Sequence, residues 1–211
     1  MKSVKDIIPH NVGWLEVKLD DKEMDHLWRI SKDVGLNHRK NLAGNISKSC
    51  LIEDKDGWFF NNVILKLCAK YADTYQDLVS KIPTYTRHPL ELSSLWINYQ
   101  KETEFNPLHH HEGTYSFVIF MKIPTSYKDQ QKLPFVKGAN EKHAVSNFWF
   151  TYTNVLGDVT GYYYEMSPKV EGTLLFFPSQ LQHQVFPFYN SKEERITISG
   201  NVGIDTRRII E

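Results

Sequence analysis

After Pro89 the apolar period of this chain changes from helical spacing to two, and that switch restricts the fold more than any other feature. Leu95, Ile97 and Tyr99 alternate with Trp96, Asn98 and Gln100, and Phe117, Ile119 and Met121 alternate with Ser116, Val118 and Phe120. Further strands are expected over residues 146–154, 173–177, 183–188 and 195–203. The Gly157-Asp158 turn offers the first of these a partner over residues 162–166, and Pro178-Ser179 and Asn190-Ser191-Lys192 separate the last three. Aromatic residues concentrate after residue 84, as suits a β core.

Upstream the signals are mostly helical. Residues 12–19 read as a short strand. Asp20 and Glu23 have the spacing of a capping box, and Met24, Leu27, Ile30 and Val34 follow on one helical face up to Gly35. Residues 36–56 are polar and irregular, and are expected to form a long surface connection. From Trp58 onward Phe60, Ile64, Leu67, Tyr71, Tyr75 and Leu78 predict one long amphipathic helix to about Lys81, ended by Pro83. Residues 126–142 are polar and carry no assignable pattern. Helices first and short strands afterwards predict an α+β, mainly β fold. The favoured form is a jelly roll, or double-stranded β-helix, with the N-terminal helices packed on one outer face. The 211 residues are expected to form a single domain, with 1–89 as helical support and 90–205 as the jelly-roll core. Two helices and a loop bury too little to fold apart.

Charge narrows the function. Lys+Arg and Asp+Glu are both 25, which argues against a nucleic-acid binder. No apolar run is long enough to span a membrane, and MKSVKDIIPH lacks the apolar stretch of a leader, so a cytoplasmic protein is expected. Cys50 and Cys68 make no disulfide framework and are expected to be free thiols.

The chemistry is concentrated in two blocks. The first is Asn106-Pro107-Leu108-His109-His110-His111-Glu112-Gly113. Imidazoles and a carboxylate are ligands for a borderline transition metal. On an extended segment only residues two apart share a side, so either His109 with His111 or His110 with Glu112 reaches one metal. The residues alone leave that choice open. The second block carries His183 and, twelve residues later, Arg195. Arg195, Thr197, Ser199 and Asn201 share one strand face, and an inward arginine beside a hydroxyl suits a bound carboxylate.

Taken together, NPLHHHEGTYSFVIFMKIP, GTLLFFPSQLQHQVFPF and ERITISGN resemble the 2-oxoglutarate/Fe(II)-dependent oxygenase superfamily, in particular a prokaryotic and phage branch of it. The resemblance covers about residues 92–203. By alignment on Pro107 and the strand after it, the resemblance favours His109, His111 and His183 as metal ligands over His110 and Glu112. It implies that Arg195, helped by Thr197, pairs with the far carboxylate of 2-oxoglutarate. It further implies that Asn98 or Tyr99 on the preceding strand touches the cosubstrate, and their alternation lets only one of them point inward. The implied activity is a dioxygenase, a hydroxylase that consumes dioxygen and 2-oxoglutarate and acts on a peptidyl or small-molecule substrate. Two other readings compete: a cupin-like three-histidine dioxygenase that does not use 2-oxoglutarate, and a non-enzymatic, phage-associated jelly-roll binding module. Arg195-x-Thr197 speaks against the former, and the intact histidine set against the latter.

Overall fold

In the computed structural model, which describes residues 3–7, 11–41 and 43–210, ten strands form two antiparallel sheets. The stretch considered above as a possible leader lies partly outside the described residues. The strands are β1 (Leu15–Lys18), β2 (Lys48–Leu51), β3 (Leu90–Gln100), β4 (Asn106–His109) and β5 (Tyr115–Lys122). They continue as β6 (Phe148–Thr153), β7 (Val159–Tyr164), β8 (Thr173–Pro178), β9 (Gln182–Val185) and β10 (Arg195–Ile204). The larger sheet has the order β1-β8-β5-β10-β3-β2, and the smaller β4-β9-β6-β7. Two facing antiparallel sheets with helices on one outer side are the predicted jelly roll.

The central strands explain the layers. Phe117, Ile119, Leu174, Phe176, Ile198 and Val202 face the helices and pack on Leu27, Phe59, Ile64 and Tyr71. From the same strands, Val118, Phe120, Leu175 and Phe177 point the other way and meet Phe148 and Phe150 of the smaller sheet. Strands buried on both sides read as continuous apolar runs, which is why TLLFF and FVIFM lack polar alternation. The exception is the inner face of β3 and β10. There Ser94, Trp96, Asn98 and Gln100 lie opposite Asn201, Ser199, Thr197 and Arg195. This polar ladder is the floor of a cavity between the sheets.

Helix α1 (Asp21–Ile30) starts at the expected capping box: Glu23 N–H donates to Asp20 Oδ1 at 2.8 Å, and Asp20 N–H to Glu23 Oε2 at 2.8 Å. The predicted long helix is shorter than expected. It opens with a π turn (Phe60–Ile64), continues as α2 (Leu65–Thr74), and yields to a separate 3₁₀ turn over Val79–Lys81. Asp77 is the local reason: its carboxylate accepts from Val79 N–H and its carbonyl from Ser80 Oγ, a turn that competes with helical hydrogen bonding. Asp54 fixes the start, accepting from Phe59 N–H, Phe60 N–H and His26 Nε2–H. The expected surface connection 36–56 contains a strand, β2, which pairs with β3 from Lys48↔Tyr99 to Leu51↔Trp96. Residues 126–142 hold two short helices, α3 (Tyr127–Gln130) and α4 (Pro134–Lys137). No helix among the described residues is long and apolar enough to cross a membrane.

Candidate metal centre

Strand β4 pairs with β9 so that His109 lies directly across from His183. From Asn106↔Val185 to His109↔His183 the register slips by one residue, a bulge that re-aims the end of β4. The strand stops there, and His111 lies in the irregular stretch that leads into the bend at residues 112–114. Backbone pins hold that stretch: His111 N–H donates to Ser179 O at 2.9 Å, and Thr114 N–H to Val202 O at 2.8 Å. Between them Gly113 takes φ +97°, a conformation that side chains disfavour, and a Cβ there would meet Val202 O at 2.8 Å.

The result is a convergence of three imidazoles. One nitrogen from each of His109, His111 and His183 falls within 4.8 Å of the others, a group suited to holding a metal ion. The tautomers follow from the other nitrogens. His109 Nδ1–H donates to Pro107 O at 2.7 Å and His183 Nδ1–H to Leu181 O at 3.0 Å, which turns both Nε2 lone pairs toward the centre. The Nε2 atoms of His111 and His183 are 3.2 Å apart. Neighbouring ligands bound at about 2.1 Å and at right angles are separated by roughly 3.0 Å, so the spacing fits one shared ion. Burial holds all three rings neutral: it lowers the pKa of His109, takes that of His111 to about 4, and drives that of His183 well below the usual value. His183 is only 4% exposed, with Phe148, Phe150 and Phe177 against its ring. His110 and Glu112 line the same cavity but are exposed at its mouth, outside the group of three.

Arg195 closes the opposite end of the cavity, which holds about 470 Å³. It is 1% exposed, and no carboxylate among the described residues pairs with it. Its Nη2 donates to Ser146 O at 2.7 Å and Ser146 Oγ at 2.9 Å, and its Nη1 donates weakly to Gln100 Oε1 at 3.5 Å and Phe186 O at 3.4 Å. The Phe188 ring lies 5.0 Å from the guanidinium carbon, and Nε has no acceptor. Burial pulls the Arg195 pKa down to about 9, which leaves it a cation at neutral pH. A buried cation among neutral groups is costly unless an anion joins it. Thr197 and Asn98 lie beside it on the ladder, and Asn98 Oδ1 is buried without a partner. Tyr99 points away, packing on the helix-side core beneath Lys48 Nζ, 3.8 Å from its ring centroid. Strand alternation therefore takes Tyr99 out of the cavity and leaves Asn98 on its floor.

The family model "Putative 2OG-Fe(II) oxygenase" matches residues 94–201, just over half of the chain. The chain belongs to this family. It is an Fe(II)/2-oxoglutarate-dependent oxidoreductase, and dioxygen and 2-oxoglutarate are its cosubstrates. A search of curated proteins found no match. Among solved structures, an oxidoreductase of the 2OG-Fe(II) oxygenase family from Burkholderia pseudomallei superposes with TM-score 0.53 at 9% identity, over 90% of this chain and 85% of that one. A non-heme α-ketoglutarate-dependent carbocyclase from nogalamycin biosynthesis gives 0.51 at 10% identity, over 92% and 80%. At such identities the likeness concerns the fold.

The oxygenase cavity includes residues that the motifs did not single out. Trp96 lies beside His111, ring centroids 5.5 Å apart, and its buried Nε1–H has no acceptor. The period-two pattern already put Trp96, Asn98 and Gln100 on one face, so that signal was present. Ser146 had none, because it reaches Arg195 across 49 residues.

Proposed function

We propose that His109, His111 and His183 hold Fe(II) in this oxygenase, and that Arg195, with Thr197 and Asn98, receives the far carboxylate of 2-oxoglutarate. The observation that carries this is the pairing of two features within one cavity: three converging neutral imidazoles, and a fully buried guanidinium that no carboxylate among the described residues pairs with. The donors fit the groups. Neutral imidazoles suit a borderline divalent metal, and the free Nε–H with the Thr197 hydroxyl suits a carboxylate. When bound, the metal would activate dioxygen, which is the oxidant, and 2-oxoglutarate would give two electrons to it in going to succinate and carbon dioxide. The chain's own residues orient and shield. The carbonyls of Pro107 and Leu181 keep each ligand proton on Nδ1. Phe148, Phe150 and Phe177 keep water from the His183 side.

The finer part of the proposal is a hydroxylase acting on a peptidyl residue. The cavity opens past the exposed polar groups of His110 and Glu112, with Ala43 and Ile46 on its wall. A peptidyl substrate would place one side chain in this cavity, with those polar groups beside its backbone. Two measurements test the two parts. Anaerobic titration of the Fe(II)-loaded protein with 2-oxoglutarate should raise a weak visible charge-transfer band, and no band with no succinate under air overturns the site. Exposure to a peptide library should couple succinate formation to a peptide heavier by one oxygen atom. Turnover with small molecules and with no peptide overturns the substrate class.

A further inference from the structure

Ser146 has an unusual backbone. Its φ is +59°, although it is not glycine, and Asn147 N–H donates to Val145 O at 2.7 Å across it. A three-residue turn with a positive central φ is the rare and strained form. Surrounding contacts impose it. Ser146 N–H donates to Pro187 O at 2.8 Å, the residue is wholly buried, and Thr125 Oγ1 lies 3.4 Å from its hydroxyl. The polar segment before it is fastened as well. Tyr127 N–H donates to Met166 O at 2.7 Å, and the Gln130 amide exchanges two 2.8 Å hydrogen bonds with the Tyr189 backbone. What the strained turn achieves is convergence. The carbonyl and hydroxyl of one residue both meet Arg195 Nη2, at 2.7 and 2.9 Å, and Nε is left without an acceptor beside the cavity.

We propose that Ser146 is a positioning residue for cosubstrate binding. It holds one edge of the Arg195 guanidinium so that the uncommitted Nε–H is left for the 2-oxoglutarate carboxylate, and segment 124–147 delivers it there. The inference rests on Arg195 being the carboxylate anchor.

Glycine separates positioning from a merely structural role, because it removes the hydroxyl while relieving the positive φ. Ser146→Ala and Ser146→Gly should each weaken 2-oxoglutarate binding to the Fe(II)-loaded protein about tenfold in anaerobic calorimetry, with Fe(II) affinity unchanged. The glycine variant should nevertheless melt at or above the alanine variant. In an Arg195→Ala background neither substitution should weaken 2-oxoglutarate binding further. If Arg195→Ala weakens 2-oxoglutarate binding but both Ser146 variants bind like the native protein, the positioning role is overturned alone. The same holds if the Ser146 variants lose Fe(II) and 2-oxoglutarate affinity in parallel. If Arg195→Ala itself leaves 2-oxoglutarate affinity intact, the anchor assignment falls first and this inference goes with it.

Discussion

At one end of the cavity three imidazoles are set by neighbouring backbone: a β4–β9 pair, a bulge, and a bend pinned to Ser179 and Val202. At the other end a single guanidinium is held by individual groups, Gln100, Ser146, Phe186 and Phe188. The histidine end has little charge to compensate, since burial keeps its rings neutral. The arginine end keeps a charge that the protein leaves unpaired. In the proposed site one end would take a cation and the other an anion. They also differ in what the empty site costs: the histidines pack as neutral rings, whereas Arg195 is a standing electrostatic penalty.

The sharpest way to break this contrast is to remove His183. His183→Ala should reduce Fe(II) affinity at least ~100-fold, read as metal content after dialysis, because one of three ligands is lost from a buried site. Near-native metal content would sink the three-histidine centre. Arg195→Met comes next. Affinity for 2-oxoglutarate should fall roughly 100-fold with metal content intact, in line with loss of a charged, buried contact. Because no carboxylate among the described residues pairs with the cation, the cosubstrate-free variant should unfold at an equal or higher temperature. Strong destabilisation without cosubstrate would show that the guanidinium is structural. Gly113→Ala should cost about 1–3 kcal/mol in denaturant unfolding, since φ +97° and the approach to Val202 O both penalise a side chain. Metal content should fall only with the folded fraction. The smallest effects are expected for Glu112→Ala and Tyr99→Phe. The first should leave metal content unchanged and the second 2-oxoglutarate affinity, each with stability within about 0.5 kcal/mol. Metal loss in Glu112→Ala would revive the carboxylate-containing set.

Legibility in the sequence follows the same division. Strand alternation exposed part of the cavity floor: it put Arg195, Thr197, Ser199 and Asn201 on one face and Asn98 and Tyr99 on opposite faces, while which of those two points inward needed the register. Capping chemistry placed α1. What the local pattern could not show was anything set by distant partners. β2 is four residues long, and its place depends on β3, far along the chain. The long helix was overextended because Asp77 builds a competing turn inside a run of well-spaced apolar residues. The alternation rule left His109/His111 and His110/Glu112 equal, because it fixes which residues share a side but not which side faces the cavity, and the pairing that puts His109 across from His183 lies far along the chain. Ser146 carried no periodic or compositional mark, and only the folded chain brings it to Arg195.

The larger sheet has a consequence for engineering. Its two edge strands, β1 and β2, come from the first 89 residues, and so do Leu27, Phe59, Ile64 and Tyr71, which cover its outer face. A chain cut at Pro89 would therefore keep every proposed ligand yet present bare strand edges around β8 and β3, beside an uncovered apolar sheet. Such a surface templates self-association. The minimal catalytic fragment of this enzyme is thus set by colloidal behaviour, and attempts to miniaturise it by removing the motif-poor N-terminal part should yield aggregates rather than a smaller oxygenase.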